Sequence, residues 1–536
     1  MKSFKGRIFI RADADNLNGF GHFFRCLALI SMINDDFECH FIIRNPSNEL
    51  VEKISKLCLT YFVLPEINDP IKEAKYLVDY CLENGSIVIL DGYKFDTNYQ
   101  RIIKEKAYRI ISIDDIHPYH FISDAVINQI PINIDGYSTE DYTKLYLGFN
   151  YSLLREPFLS AAKFELFHET KQANVILICF GGSDYFNLTS FALKCILDIE
   201  SIVEIHIIIG SGFLHSKELQ SLSLSKPERN INIHMDLNAK EMVSVIKKCD
   251  TAIVSASSIL LECIACGVSF VTGFYVDNQK EFVNFLNQKG LIDNYIDFKS
   301  IRIDEFRKII SEHNPHYQIP KIVQYRNQIK NAKQNVRIMI NNTINSSNPL
   351  LLSFQREKFV FKSFSLLSEE EMKLILGWRN HESVRKWMFN KNLIKERDHL
   401  NFITHLHEKK DKAYWLVLIN DKPLGVVNLI NFDGESCEWG IYLRPDAIGS
   451  GIGIDVQYYY LNILFTEIKI KTLIAFVNID NTENLHVQQL FDFNKENEAE
   501  IIDDIPYFKL TLDNERWIKL ENDIKNFKIK RLLSRL

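Results

Sequence analysis

Glycine and proline are scarce in this chain, 21 and 13 among 536 residues, so large disordered regions are not expected. Long apolar runs are missing too. Nothing approaches the roughly 18 consecutive apolar residues of a membrane-spanning helix, and the opening MKSFKGRIFIRAD reaches charge too early for a secretory leader. The expected setting is the cytoplasm. Basic charge is not in excess: Lys and Arg total 63 against 69 Asp and Glu, a formal net charge of −6, which argues against a nucleic-acid partner. The ten cysteines are scattered, and several (Cys26, Cys179, Cys195) sit inside apolar runs as small hydrophobes. A lone CxxC at Cys263 and Cys266 lacks the second pair that a zinc site needs, so no metal is expected.

What is present is an ordinary globular balance, 46% hydrophobic and 25% charged, in a chain too long for one core. Over residues 1–150, strand-like runs (RIFIRAD, FECHFIIRN, SIVILD, RIISIDD, DAVIN) alternate with amphipathic helices, the pattern of a helix-covered parallel sheet. Residues 151–340 repeat the pattern with NVILICF, EIHIIIG, TAIVSAS and VSFVTGF, ending in a polar helical stretch over roughly 320–340. Two doubly wound α/β regions in succession create a ligand cleft at the carboxyl ends of their strands. The Asn- and Ser-rich segment 341–353 reads as a linker. Residues 354–536 form an α+β domain: two helical segments, then the strands AYWLVLIND, KPLGVVNLINF and SCEWGIYLR, with a tight hairpin at Asn420-Asp421-Lys422.

Three stretches carry chemistry. In RADADNLNGFGHFFRCLALI a strand ends at Ala12-Asp13, a loop carries Gly19 and Gly21, and His22 opens an apolar helix. Free N–H groups at such a helix start favour an anion, and an imidazole with an unperturbed pKa near 6.5 suits a general base. Capping or packing is the plainer role for that histidine. In ICFGGSD the glycines Gly181 and Gly182, and in IVSASSILLECIACG the serines Ser257 and Ser258, stand where a strand hands over to a helix and a diphosphate can be held; simple N-capping is the alternative. Glu262, four residues after Ser258, suits either the two hydroxyls of a ribose or the helix dipole.

Taken in order, RADADNLNGFGHFFR, LDGYKFD, LYLGFNYSLLREPF, FGGSD, SASSILLE and YVDNQKE resemble the UDP-sugar hydrolases of pseudaminic acid biosynthesis over nearly all of residues 5–300. The resemblance implies a two-lobed, glycosyltransferase-B-like fold. It also implies release of UDP from 2,4-diacetamido-2,4,6-trideoxy-β-L-altropyranose with inversion and without a metal. By position it makes His22 the base that activates water. Arg11, Asp13, Gly21, Tyr93 and Asn278 would line the sugar site, and Gly181, Gly182, Ser257, Ser258 and Glu262 would hold UDP. Gly92 stands where that family usually has His. The chemistry is self-consistent, because a phosphate with a second pKa of about 6 leaves without a general acid.

Further on, CEWGIYLRP leads into DAIGSGIGIDVQYYYLNILF, where Gly449, Gly451 and Gly453 open a helix and their backbone N–H groups can surround a pyrophosphate. The preceding antiparallel strands exclude a Rossmann unit, and the arrangement resembles the GCN5-related N-acetyltransferases. That family implies acetyl-CoA held by Ile441, Tyr442, Gly449, Gly451 and Gly453; Ile448 replaces its usual Gln or Arg. The run GWRNHESVRKWMFNKNLI, then HLNFITHL and EWGIYLRP, is similar to the acetyltransferases of the same pathway, which act on the 4-amino group of a UDP-sugar. Arg379, Asn380, His381, Trp387 and Met388 would then form the sugar-nucleotide pocket; a first helix with Trp and Met in the core is the alternative. The family's general-acid tyrosine aligns with Gln488. The two halves together imply one chain joining consecutive steps, acetylation of UDP-4-amino-4,6-dideoxy-N-acetyl-β-L-altrosamine and then hydrolysis. Its partners would be UDP-linked amino sugars, acetyl-CoA and water. A UDP-sugar glycosyltransferase with a degenerate binding module is the competing expectation.

Overall fold

Isoleucine- and valine-rich runs covered on both faces are what a parallel sheet requires, and two such sheets occupy residues 6–339. The computed structural model describes residues 6–14, 20–58, 60–83, 85–106, 108–131, 134–164, 174–346 and 348–526. The first sheet contains β1 (Arg7–Ala12), β2 (Glu38–Arg44), β3 (Thr60–Leu64), β4 (Ile87–Asp91), β5 (Arg109–Ile113), β6 (Ala125–Asn128) and β7 (Lys144–Leu147). Its strands, all parallel, lie in the order β3-β2-β1-β4-β5-β6-β7. The second contains β8 (Asn174–Cys179), β9 (Ile202–Ile209), β10 (Asn230–Met235), β11 (Thr251–Ser255) and β12 (Ser269–Gly273), also parallel, in the order β10-β9-β8-β11-β12. Among the described residues, strand isoleucines and the apolar faces of helices pack into a core against each sheet.

Strands β3, β7 and β10 were not apparent in the sequence. Their runs TYFVL, KLYL and NINIHM leave many side chains half-exposed or exposed, so they lack the buried β-branched signature of central strands. The polar helical stretch is two helices, Pro315–Ile329 with Pro320 inside it and Ala332–Ile344. Segment 341–353, expected as a linker, carries regular structure over part of its described residues. The helix Ala332–Ile344 extends into it and a 3-10 turn covers Pro349–Leu351. Asn342 pairs through its amide with both backbone groups of Ser353 at 2.9 Å, and Asn341 donates to the Leu351 carbonyl at 3.1 Å. Asparagine side chains bond the backbone here, and Leu350 enters the core of the second unit.

The chain divides into two compact units, 1–339 and 340–536. The second unit is an eight-stranded mixed sheet. Its strands are β13 (Phe354–Arg356), β14 (Phe359–Ser363), β15 (Ala413–Ile419), β16 (Lys422–Ile430), β17 (Ser436–Leu443), β18 (Thr472–Asn478), β19 (Asn494–Ile502) and β20 (Ile505–Asp513). All pairs are antiparallel except β17–β18. The β15–β16 hairpin turns on Asn420 and Asp421 with φ of 48° and 62°, the two positive angles of a type I′ turn. All ten cysteines are free thiols and nine are buried; Cys263 and Cys266 pack within the apolar helix Ser258–Cys266. Among the described residues, no helix is long and apolar enough to cross a membrane.

Candidate functional site

In an open parallel sheet, ligands meet the carboxyl ends of the strands where the order reverses. The reversal falls between β1 and β4 in the first sheet and between β8 and β11 in the second. The loops after these four strands carry Asp13 and His22, Tyr93, Gly181 and Gly182, and Ser257 and Ser258. Gly19 lies outside the described residues.

His22 sits in the first turn of the helix Gly21–Ile33, 8% exposed, and its Nδ1 lies 2.6 Å from Oδ1 of Asp91, the last residue of β4. Asp91 is fully enclosed. Arg25, one turn along the helix from His22, donates to both of its oxygens at 2.7 and 2.6 Å, and through its other nitrogen to Asp115 at 2.6 Å. Burial alone would raise the Asp91 carboxyl, but the Arg25 guanidinium and His22 outweigh it and hold the group well below the usual carboxylate range. Tyr93 stands edge-on to His22 with ring centroids 4.9 Å apart. Its hydroxyl donates to Asp115 at 3.3 Å and accepts from the Asn278 amide at 2.6 Å, which links the first sheet's loops to those of the second. Burial and Asp115 both push the Tyr93 hydroxyl upward and keep it protonated. The buried Oδ1 of Asn278 has no hydrogen-bond partner among the described residues. Thus His22, Tyr93 and Asn278 come together, and Asp91, Arg25 and Asp115, not anticipated from the sequence, join them. The available signal was an aspartate ending SIVILD and another ending RIISIDD, both at the carboxyl ends of strands.

Arg11 is placed differently from the other sugar-site candidates. Its side chain has no exposed surface; it bonds Glu73 at 2.8 Å and Asp13 at 2.9 Å, so it supports Asp13 from within the sheet. Asp13 also pairs with Lys94, whose ammonium is pushed down to about 8 by burial and by Arg11, against the opposing pull of Asp13. Gly21 starts the His22 helix. Gly92 has φ of 153°, and a Cβ there would stand 3.0 Å from the Phe95 ring, so histidine would require Phe95 to shift.

At the second sheet, Asp184 turns the Gly181-Gly182 loop by accepting from the Leu188 and Thr189 amides at 2.9 and 2.8 Å. Ser257 occupies the N-cap of the helix Ser258–Cys266 but makes no side-chain cap bond, so simple N-capping is not its role; Ser258 is exposed. Glu262 lies beyond the first turn and receives Arg155 at 2.7 Å, an ion pair rather than a dipole contact. Burial raises its carboxyl, with Arg155 opposing.

In the second unit, β17 and β18 pair over three positions only, from Ser436↔Thr472 to Glu438↔Ile474. Beyond Glu438, β17 keeps only β16 beside it, which leaves a wedge along Ile441 and Tyr442. Past the end of β17, Gly449 and Gly451 both take φ of 82°, a conformation open to glycine, and Gly451 starts the helix Ile452–Ile463 without a side-chain cap. Gly453 lies in the first turn of that helix, against Leu443. The separated strand edge and the uncapped helix start, with its free backbone N–H groups, could hold an anionic cofactor such as acetyl-CoA.

Trp387 and Met388 are not core residues of a first helix. The buried tryptophan there is Trp378; Trp387 lies after the helix Glu382–Arg385, 37% exposed, with the Lys386 ammonium 5.0 Å over its ring. Asn380 exchanges two bonds of 2.8 Å with the backbone of Ile394 and fixes the loop that presents Trp387. His381 caps the helix Glu382–Arg385. Arg379 donates through Nη2 to the Asn390 carbonyl at 2.9 Å, while its buried Nη1 has no partner among the described residues. Gln488 is 2% exposed and commits its amide to Gln457 and Asn484 at 2.7 to 3.3 Å, so it offers no free donor.

Residues 364–494 match the family model of the acetyltransferase (GNAT) domain. Acetyltransferase PseH of Campylobacter jejuni is 37% identical over 130 residues, 24% of this chain and 80% of that protein. The UDP-2,4-diacetamido-2,4,6-trideoxy-beta-L-altropyranose hydrolase of the same organism is 27% identical over 295 residues, 53% of this chain and 97% of that enzyme. The uncharacterized protein MJ1062 of Methanocaldococcus jannaschii is 23% identical over 452 residues, 82% of this chain and 86% of that protein.

Proposed function

Because this chain belongs, through its C-terminal unit, to the acetyltransferase PseH family, we propose that it is a bifunctional enzyme of pseudaminic acid biosynthesis. Its C-terminal unit acetylates the 4-amino group of UDP-4-amino-4,6-dideoxy-N-acetyl-β-L-altrosamine. Its N-terminal unit then hydrolyses UDP-2,4-diacetamido-2,4,6-trideoxy-β-L-altropyranose. The observation that carries the hydrolase half is the meeting of His22 with Tyr93 and of Tyr93 with Asn278, 185 residues further on, at the strand ends of two parallel sheets. That arrangement supports a two-lobed glycosyltransferase-B-like body with lobes over 1–150 and 151–340.

In this reading a water oxygen attacks the anomeric carbon while its proton passes to Nε2 of His22. The C1–O bond breaks with its electron pair on the departing β-phosphate oxygen of UDP, and the configuration inverts. Tyr93 and Asn278 hold the sugar, the Asn278 Oδ1 accepting from it. The Gly181-Gly182 loop and the uncapped helix start at Ser257 and Ser258 receive the diphosphate, and Glu262 the ribose. In the second unit the unpartnered Nη1 of Arg379 and the exposed face of Trp387 receive the nucleotide sugar. Bound acetyl-CoA supplies the acetyl thioester. With Gln488 committed to its amide partners, the proton for the leaving thiol comes from solvent. The proposed setting is the cytoplasm.

The test is a phosphorus and proton NMR time course with the 4-amino UDP-sugar, run with and without acetyl-CoA. UDP and the free diacetamido sugar are expected only when acetyl-CoA is present. His22→Ala should stop UDP release and leave acetyl transfer intact; unchanged hydrolysis would remove His22 from the mechanism.

A further inference from the structure

We propose that Asp91 and Arg25 are positioning residues for His22. Asp91 fixes the tautomer that aims Nε2 at the attacking water, and Arg25 locks Asp91 and ties it through Asp115 to Tyr93 and Asn278. The proposal rests on the hydrolase reading, and it specifies how the base is prepared.

An ionised carboxylate only accepts hydrogen bonds, so at 2.6 Å from Asp91 the single hydrogen of a neutral His22 ring lies on Nδ1. Nε2 is left with its lone pair, as a base requires. Arg25 Nη2, which carries two hydrogens, donates to Asp91 Oδ1 at 2.6 Å and also approaches Nδ1 to 2.9 Å, but an unprotonated Nδ1 would set two acceptors 2.6 Å apart, so the Nδ1 hydrogen belongs to the Asp91 contact. Cys26 donates to the second Asp91 oxygen at 3.3 Å. Among the described residues, the charged and titratable groups around the ring are Asp91 from β4, Arg25 and Cys26 from its own helix, Tyr93 after β4 and, beyond Arg25, Asp115 after β5. Among these described groups, two carboxylates stand against one guanidinium, a net charge of about −1 that the proton taken by His22 from water offsets. The chain His22–Asp91–Arg25–Asp115–Tyr93–Asn278 is unbroken, so the base and the sugar contacts are held by one set of bonds.

The test is Asp91→Asn in the full chain, with three readouts. The first is the tautomer and titration of His22, read from ring-nitrogen NMR without substrate and assigned against His22→Asn. The second is UDP release from the pre-acetylated UDP-sugar as a function of pH, and the third is acetyl transfer. Wild type should show the Nδ1–H form. In D91N that preference should be lost, and both the His22 midpoint and the acidic limb of kcat/KM should move to lower pH, because a neighbouring negative charge has been removed. UDP-release kcat should fall about 100-fold or more with KM within about twofold, and acetyl transfer should be unchanged. An unchanged tautomer and titration in D91N would overturn the proposal even if turnover fell. A wild type with the Nδ1–H form and no UDP release would remove the hydrolase reading and leave the positioning role standing. Should D91N fail to fold, Arg25→Lys is read by the same spectra, where an altered tautomer ratio supports the proposal and an unaltered one overturns it.

Discussion

In the N-terminal unit, Asp91 and the partly buried Asp13 are held ionised by guanidinium partners, and this sets an acid limit on its stability. Burial alone would raise the Asp13 carboxyl, but Arg11, with Lys94, outweighs it and holds the group well below the usual range. A carboxyl depressed on folding contributes its full stabilisation above its unfolded value of about 3.9 and loses it as pH falls toward the folded value. The stability difference between wild type and Asp13→Asn in urea unfolding should thus be flat above about pH 5 and shrink below about pH 4. A difference that stays constant on acidification would show that Asp13 does not contribute through its charge. The same partners explain what could be read from sequence. His22, Tyr93 and Asn278 stood out singly, each in a motif of its own. Asp91, Arg25 and Asp115 looked like strand-end and helix charges, because their pairing spans 66 and 90 residues and depends on strand order. Arg11 stood in a loop-flanking motif, yet its strand is central, so the side chain is enclosed.

Among elements, the short β17–β18 pairing and the glycine loop past the end of β17 form one device. The parallel strands separate after Glu438, and the helix beyond begins with Gly451 in a conformation that a branched side chain resists. Valine at Gly451 would cost about 1–3 kcal/mol in that conformation. Gly451→Val should therefore raise the KM for acetyl-CoA by about tenfold while leaving UDP release unchanged; an unaltered KM would mean the cofactor does not use this loop. Elements with their own local signal were legible. The Asn420-Asp421 pair announces its turn, and the isoleucine-rich central strands announce the sheets. Edge strands β3, β7 and β10 carry weaker patterns, since half their side chains meet solvent. In segment 341–353, asparagine amides bond the backbone and Leu350 alone of its described residues is buried in the core, so its described structure left little periodic pattern in the sequence.

At the scale of the molecule, each proposed site is built within its own unit: residues 13–278 for UDP release and 379–488 for acetyl transfer. Equal amounts of His22→Asn and Arg379→Ala chains, matched for active sites, should therefore convert the 4-amino UDP-sugar through both steps with the same lag as wild type. A wild-type lag that is shorter and insensitive to dilution would show direct transfer between sites. The ten free cysteines bear on how such experiments can be built. Burial pushes the Cys58, Cys179, Cys195 and Cys437 thiols up to about 12 and the Cys81 thiol to about 11, and Cys26 is raised further by Asp91. Thiolates are what maleimides attack, and nine of the ten thiols are buried, so the native protein should give them little background. A single engineered surface cysteine would then carry a dye or spin label specifically, without first stripping the chain of its own thiols.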